Sequence, residues 1–224
     1  MRSPGLAAHV WLVDPAWSRT TPPKLPAAVG VDALPHAIEA YVSKRANPIT
    51  DGLALQAIRM ISGSLRQAWA DGSNVWARTE MMLGASIAGL AFSNSSVALV
   101  HGMSRPIGAH FHIHHGLSNS VLLLEAMRFS LPGAPERFAD VAVAMGETVE
   151  GRSRMGAADV AVEAVSRLLD DVGRPRLGEI GIDRTSFDAV AEQMAEDALA
   201  SGSPAHNPRQ ATVDDIVAIY GRCW

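Results

Sequence analysis

The sequence predicts an all-α helical bundle of about eight helices, preceded by one short β-strand near the N-terminus. Two observations favour the helical class: apolar residues recur at helical spacing through most of the chain, and Gly, Pro or Asp signals separate the periodic segments. A third observation predicts the strand, because residues 8–13 form a short β-prone run that ends at Asp14-Pro15.

The N-terminal part is predicted to differ from the rest of the chain. Residues 18–30 contain Pro22, Pro23 and Pro26, which are incompatible with a helix interior, so we expect an extended connector there. The chain then divides into residues 1–30, comprising strand and connector, and residues 31–224, an all-α domain. The predicted helical segments are Asp32–Lys44, Ile49–Ala70, Val75–Val100, Leu117–Phe129, Pro135–Met145, Ala157–Asp171, Thr185–Ala200 and Val213–Arg222.

Two of these segments have unusual composition. Pro35 would lie in the first turn of a helix that begins at Asp32, where its missing N–H has no partner to lose. Residues 75–100 are rich in Gly, Ala and Ser, which let other helices approach closely. We therefore expect residues 75–100 to form a buried central helix or hairpin.

Composition excludes several classes of protein. The chain has 224 residues, 48% of them hydrophobic, and a net charge of -4, which argues against a disordered chain and against a basic nucleic-acid surface. No apolar run is long enough to predict a membrane span. Cys223 is the only cysteine, so we expect no intrachain disulfide, no thiolate metal cage, and a cytoplasmic location.

Histidine is the residue type that points to chemistry. Four of the eight histidines, His110, His112, His114 and His115, lie within residues 110–115, and His101 lies just upstream. Imidazoles together with a carboxylate suit iron or zinc in a site without cysteine.

A second pattern could complete such a site. Asp32 and His36 are four residues apart on a predicted helix, so their side chains share one face and form half of a metal site. Taken alone, the same spacing also describes an exposed ion pair on a solvated helix face.

Two segments resemble the metal signatures of the iron-containing alcohol dehydrogenases. They are Gly-Val-Asp-Ala-Leu-Pro-His-Ala-Ile-Glu-Ala-Tyr-Val-Ser at 30–43 and Leu-Val-His-Gly-Met-Ser-Arg-Pro-Ile-Gly-Ala-His-Phe-His-Ile-His-His-Gly at 99–116. The similarity extends to residues 13–15 and 207–220. It implies that Asp32, His36, His101 and His115 bind the catalytic divalent ion. Fe²⁺ is expected, although the same ligands also accept Zn²⁺, Mn²⁺ or Ni²⁺.

The resemblance also assigns the neighbouring residues. Arg105 stands where many members of the family have a histidine near the nicotinamide and substrate, so it is the candidate catalytic residue, and proton relay at this position is in doubt. His110, His112 and His114 do not match ligand positions and are expected to line a cleft or the surface. His112 has a second interpretation, as a residue that orients a ligand imidazole.

One family feature has no counterpart in this sequence. Full-length members carry an N-terminal α/β domain whose glycine-rich loop holds the cofactor's pyrophosphate, and no glycine-rich strand-to-helix junction is found here. The resemblance therefore implies the metal-binding catalytic half of an NAD(P)-dependent enzyme that interconverts alcohols with aldehydes or ketones by hydride transfer. We expect it to be inactive alone and to bind NAD(P) only if a nucleotide-binding domain is supplied.

Other functions remain open at this point. The chain could be a non-catalytic metal-binding or oligomerisation domain of the same family, whereas metal-assisted hydrolysis is disfavoured because no suitably placed general base is evident.

The expected partners are a small alcohol or aldehyde and a second copy of the chain, with neither nucleic acid nor membrane. A strand over residues 8–14, separated from its parent sheet, would expose unpaired backbone and apolar side chains, which predicts pairing between copies.

Overall fold

The computed structural model describes residues 10–18 and 24–224, and within residues 24–29 it describes the backbone alone. Over these residues the fold is all-α, as predicted, with ten α-helices and no β-strand. The helices are α1 (Lys24–Val42), α2 (Pro48–Ala70), α3 (Val75–Asn94), α4 (Leu99–Phe111), α5 (His115–Ser130), α6 (Pro135–Ala144), α7 (Arg154–Asp171), α8 (Arg184–Asp188), α9 (Ala191–Ala200) and α10 (Val213–Arg222).

Helices with strong local start signals begin where the sequence predicts. Helix α2 starts one residue before the predicted position, because the Asn47 side chain accepts hydrogen bonds from the first turn while Thr50 bonds back to the cap. The Thr212 and Asp215 side chains form the same reciprocal cap at α10, whose predicted bounds are confirmed. A capping box satisfies main-chain N–H groups locally, so it can be predicted without knowledge of the tertiary structure.

The predicted start of the first helix is wrong. Helix α1 begins at Lys24 rather than Asp32, so the expected connector is helical from residue 24 and the boundary at residue 31 falls inside α1. Pro26 is compatible with this helix because it lies in the first turn. Pro35, by contrast, lies well inside α1, where it removes the main-chain hydrogen bond that the Val31 carbonyl would otherwise accept.

The predicted N-terminal strand does not form among the described residues. Residues 11–14 have irregular backbone and a short 3-10 helix follows at Pro15–Ser18, while residues 8 and 9 lie outside the described part of the chain. A strand exists only when a second strand satisfies its backbone, and this chain supplies none within that part. Val10, Trp11 and Leu12 are nevertheless exposed, and pairing of this segment with another copy stays a prediction.

Two predicted helices are each divided in two. The segment from Val75 to Val100 breaks after Asn94, and α4 leaves the junction at an angle of 102° to α3. The segment from Thr185 to Ala200 divides into α8 and α9. Among the described residues no single helix is long and apolar enough to cross a membrane; α3 and α4 meet that test only together, as the bent pair.

Small residues allow α2 and α3 to pack closely, as predicted, but α3 is not the buried central helix that was expected, because Trp76 and Leu90 on its outer face are exposed. Gly84 is buried against α2, and a Cβ at this position would lie only 2.9 Å from the Ile61 side chain. Ala88 and Ala91 continue the same line of small residues and are fully buried. Helix α1 packs on this pair and also contacts α5, which places it at the centre of the bundle.

Helix α4 is held in position by contacts with two segments near the C-terminus of the chain. Gly102 lies against Pro204 of the 3-10 helix Ser203–His206, and the buried Tyr220 hydroxyl donates to the Met103 carbonyl oxygen over 2.7 Å. Because α4 is thereby held against α9 and α10, its inner face meets α1 and α5 in a defined register. The three helices α1, α4 and α5 carry the predicted ligands.

We predict that Gly102→Ala destabilises the protein by about 1–3 kcal/mol, because the added methyl group would overlap Pro204, whose ring atom lies 2.5 Å from the Cβ position. The control is Gly89→Ala in α3, where nothing lies within 4 Å of the added atom. That substitution should stabilise by roughly 0.5–1 kcal/mol through helix propensity. Urea denaturation of both variants measures the difference; equal effects would contradict the close α4 contact.

Candidate metal centre

The structure brings the four predicted ligands together. Asp32 and His36 project from α1, His101 lies in the first turn of α4, and His115 is the first residue of α5. One potential ligand atom from each side chain lies within 4.8 Å of the other three. Residues separated by up to 83 positions in sequence (32 to 115) thus converge on one small volume.

Helical geometry explains the α1 half of the cluster. Asp32 and His36 are one turn apart, so both side chains point toward the α4–α5 side. The His36 ring packs against Phe92 with 4.6 Å between ring centroids, and its Nδ1 lies 2.7 Å from the Asp32 main-chain carbonyl oxygen. A carbonyl oxygen only accepts, so Nδ1 carries the hydrogen and Nε2 carries the lone pair.

His101 is oriented in the same sense by a different group. Its Nδ1 lies 2.7 Å from Oε2 of Glu39, and both side chains are almost completely buried. A carboxylate oxygen is an acceptor, so the His101 Nδ1–H donates and the lone pair again resides on Nε2. This Nε2 lies 2.9 Å from Nε2 of His36.

The short contact between the two Nε2 atoms is chemically informative. With both Nδ1 atoms committed as donors, the neutral imidazoles direct two lone pairs at each other across 2.9 Å. Two facing lone pairs repel unless a proton or a cation lies between them. The geometry therefore favours a positively charged species at this point.

Asn119 supplies a hydrogen-bond donor at the same point. It lies on α5 one turn after His115, and its Nδ2 is 2.5 Å from Asp32 Oδ1, 3.0 Å from His115 Nε2 and 3.2 Å from His101 Nε2. Its Oδ1 is buried and has no hydrogen-bond partner among the described residues. The amide N–H group thus occupies a position where three acceptors converge, which is a position suited to a cation.

Burial keeps the imidazole lone pairs free of protons at neutral pH, and therefore available to a metal ion. It lowers the pKa of His36 to about 4, with the neighbouring His101 adding to the shift and Asp32 opposing it. The pKa of His115 is also lowered, chiefly by burial, and the nearby Arg105 contributes. A neutral imidazole is the form that binds a metal, so both shifts favour ligation.

The cluster is closed on one side and open on the other. His101 is 2% exposed, Asp32 and His36 are half-buried, and His115 is the most exposed of the four. Among the described residues, the His115 side is therefore the most open approach to the cluster for a small molecule.

Arg105 lies on this open side. It is one turn after His101 on α4, its side chain is exposed, and its Nη1 donates to Ser203 Oγ over 2.8 Å. Its positive charge also contributes to the lowered pKa of His115, after the larger effect of burial. The residue that the sequence singled out as catalytic is thus held beside the cluster by α4 and by the 3-10 helix that follows α9.

The other three histidines of residues 110–115 lie on the surface. His110 is 4.0 Å from the Asp197 carboxylate, His112 ends α4 with a left-handed φ of 54°, and His114 precedes the first turn of α5. Glu39 orients His101 and the α1 backbone orients His36, so the interpretation of His112 as an orienting residue stays a prediction, for His115 alone.

Sequence reasoning missed Glu39 and Asn119. A signal was present for each: Glu39 continues the face of Asp32 and His36 by one turn, and Asn119 follows His115 by one turn. Neither could be paired with its partners from periodicity, since Glu39 and His101 are 62 positions apart.

Comparison with known proteins agrees with the predicted family and fold. Residues 26–224 match the model of the Fe-containing alcohol dehydrogenase family, C-terminal part, and the chain belongs to that family. The chain is 44% identical over 212 residues to 1,3-propanediol dehydrogenase of Citrobacter freundii, covering 94% of this chain and 54% of that protein. It is 43% identical to lactaldehyde reductase of Escherichia coli K12, covering 96% of this chain and 55% of that protein.

Structural comparison gives the same result. A crystal structure of 1,3-propanediol oxidoreductase superposes with a TM-score of 0.90 at 42% identity, covering 94% of this chain and 55% of the other. The chain spans about half the length of the relatives it matches. The predicted family and its C-terminal, all-helical domain are thereby confirmed.

We predict that the metal-free protein loses stability as the pH falls from 6.5 to 4. The unfolded chain binds a proton on residue 36 near pH 6.5, whereas folded His36 remains neutral until about pH 4, so acid favours the unfolded state. The contribution is on the order of 2–3 kcal/mol. Chelator-treated wild type and His36→Gln should be compared by denaturant unfolding at pH 7 and pH 4.5; the variant should show the smaller decrease, and equal decreases would contradict the shifted pKa.

Proposed function

We propose that this chain is the metal-binding half of an NAD(P)-dependent alcohol dehydrogenase that interconverts a small alcohol with its aldehyde or ketone. The observation that carries the proposal is the convergence of Asp32, His36, His101 and His115 within 4.8 Å, with two imidazole lone pairs facing each other. Membership of the Fe-containing alcohol dehydrogenase family supports it.

The residues present fit a divalent ion. Three imidazoles and one carboxylate form a donor set that accepts Fe²⁺, Zn²⁺, Mn²⁺ or Ni²⁺, and the family favours Fe²⁺. The amide nitrogen of Asn119 lies within hydrogen-bond distance of three of these ligands, one more than its two hydrogens can serve, and its own oxygen is buried without a partner among the described residues. A cation would satisfy these three ligand atoms more completely than the Asn119 amide does. We therefore expect a bound ion to replace the contacts of that amide.

The chemistry that a divalent ion supplies at such a site is Lewis acidity toward the alcohol oxygen, which favours hydride transfer to a nicotinamide. The protein's part is to orient the ligands from the closed side and to leave the His115 side open for substrate. Arg105 presents a permanent cation there, held by Ser203. A guanidinium remains protonated, so we assign Arg105 to substrate orientation rather than to proton transfer.

The substrate class follows from relatives that share this half of the protein. Their names describe 1,3-propanediol and lactaldehyde as substrates, which are small polar molecules. The cofactor would bind to a separate nucleotide-binding domain, since this sequence contains no phosphate-binding glycine-rich loop. We place the reaction in the cytoplasm, because Cys223 is a buried free thiol and a reducing compartment preserves it.

One observation favours a second candidate, a metal-binding domain of this family without catalytic activity. Arg105 replaces the histidine that many members of the family carry, and a guanidinium cannot relay a proton. Turnover by the chain together with a cofactor domain would distinguish the two candidates.

We predict that the chain binds one Zn²⁺ or Fe²⁺ per molecule, the iron under anaerobic conditions, through the four-residue cluster. Asp32→Ala and His101→Ala should each lower the affinity for Zn²⁺ at least about 100-fold, because each removes one of the four protein ligands. His114→Ala is the matched control, since that exposed histidine adjoins His115 without belonging to the cluster. Chelator competition measures the affinities; wild type without a stoichiometric ion would contradict the site.

We also predict that the chain alone has no saturable site for NADH or NADPH, because no backbone loop is available to bind the pyrophosphate. Titration calorimetry is the measurement, and micromolar affinity would contradict the assignment of cofactor binding to another domain. Turnover on mixing with a separately expressed nucleotide-binding domain of the family would support a catalytic role.

A further inference from the structure

We infer that Glu39 is a positioning residue for the metal site. Its carboxylate selects the tautomer of His101 and holds the N-terminus of α4. One buried group thus determines both which nitrogen of His101 can bind the ion and where His101 lies. The inference rests on the proposed metal site. It adds a residue that contacts no ion and acts through His101.

Glu39 accepts three hydrogen bonds in the interior. Oε2 accepts from the Ala98 main-chain N–H at 2.8 Å and lies 2.7 Å from His101 Nδ1, while Oε1 accepts from the Val100 N–H at 2.5 Å. The residue is only 3% exposed. A buried carboxylate is strongly destabilising unless such donors surround it, so its side chain has one favourable position.

The contact determines which nitrogen of His101 can bind a metal. Because a carboxylate offers only acceptors, Nδ1 must keep its hydrogen, and Nε2 is left with its lone pair directed at His36 and Asn119. His101 is 2% exposed, so water is not positioned to substitute for Glu39. A carboxylate bonded to a ligand imidazole also raises the electron density on the ligating nitrogen.

The other two contacts tie the same carboxylate to the helix that carries His101. The first N–H groups of a helix have no partner within it, and Ala98, the residue before α4, has no side chain able to cap them. Glu39 on α1 satisfies two of these groups. The position of α4 relative to α1, and therefore of His101 relative to Asp32 and His36, depends on this one side chain.

The first test requires no substitution. Long-range ¹H–¹⁵N correlation spectra of the metal-free protein, with His101→Gln used to assign the signal, report which imidazole nitrogen is protonated. We expect His101 in the Nδ1–H form. Finding His101 in the Nε2–H form in the folded wild-type protein would overturn the inference, whatever affinity for metals that protein has.

The second test uses Glu39→Gln, which keeps size and shape while replacing an acceptor with an amide that can present a donor to Nδ1. We expect His101 to populate the Nε2–H tautomer and the affinity for Zn²⁺ to fall roughly 10–100-fold. The matched control is Ser95→Ala, which removes a buried hydroxyl at the end of α3, 2.9 Å from the Ala91 carbonyl oxygen and 3.3 Å from the Ala40 carbonyl oxygen of α1, and which makes no contact with His101. It should keep wild-type zinc affinity and tautomer.

Each outcome bears on the inference. Loss of zinc affinity in Glu39→Gln but not in Ser95→Ala supports it, whereas a folded Glu39→Gln protein with wild-type affinity shows that Glu39 is only structural and overturns it. If Glu39→Gln does not fold, the wild-type tautomer decides. Failure of wild type to bind zinc would contradict the proposed metal site, and the tautomer would still decide the role of Glu39.

Discussion

The buried Glu39 carboxylate is the interaction on which the arrangement of this site depends. A charged group in the protein interior requires nearly complete hydrogen bonding, and here the donors come from the start of α4 and from His101. Helix α1 is thereby joined to α4 at the point where both carry ligand side chains. The stability of the helix junction and the geometry of the cluster are consequences of the same three hydrogen bonds.

The cluster itself combines groups that would repel one another in isolation. Two imidazole lone pairs face each other at 2.9 Å, and Asn119 brings its N–H group close to three acceptors while its oxygen stays unpaired. Protein interiors rarely keep unsatisfied polar atoms, and such exceptions concentrate where a ligand or ion is bound. The surrounding bundle, fully packed on the His101 side, holds these groups in place.

Two of the three helices that carry ligands are irregular near those ligands. Helix α1 contains Pro35 beside His36, and α4 contains Pro106 shortly after His101, so each helix lacks a main-chain hydrogen bond close to the site. Helix α4 is in addition separated from α3 by a 102° bend. Departures from regular helix geometry of this kind are expected at functional sites, where positioning a side chain outweighs local regularity.

The sequence by itself determined the helical class, the capped helices α2 and α10, and the pairing of Asp32 with His36 on one face, because these depend on contacts within a few residues. Other features depended on the tertiary structure. Helix α1 extends back to Lys24, the chain breaks after Asn94, and residues 10–14, the described part of the β-prone segment, form no strand. Glu39 reaches His101 across 62 positions. Contacts between distant segments leave no periodic signal in the sequence, since they arise only when packed helices bring the side chains together.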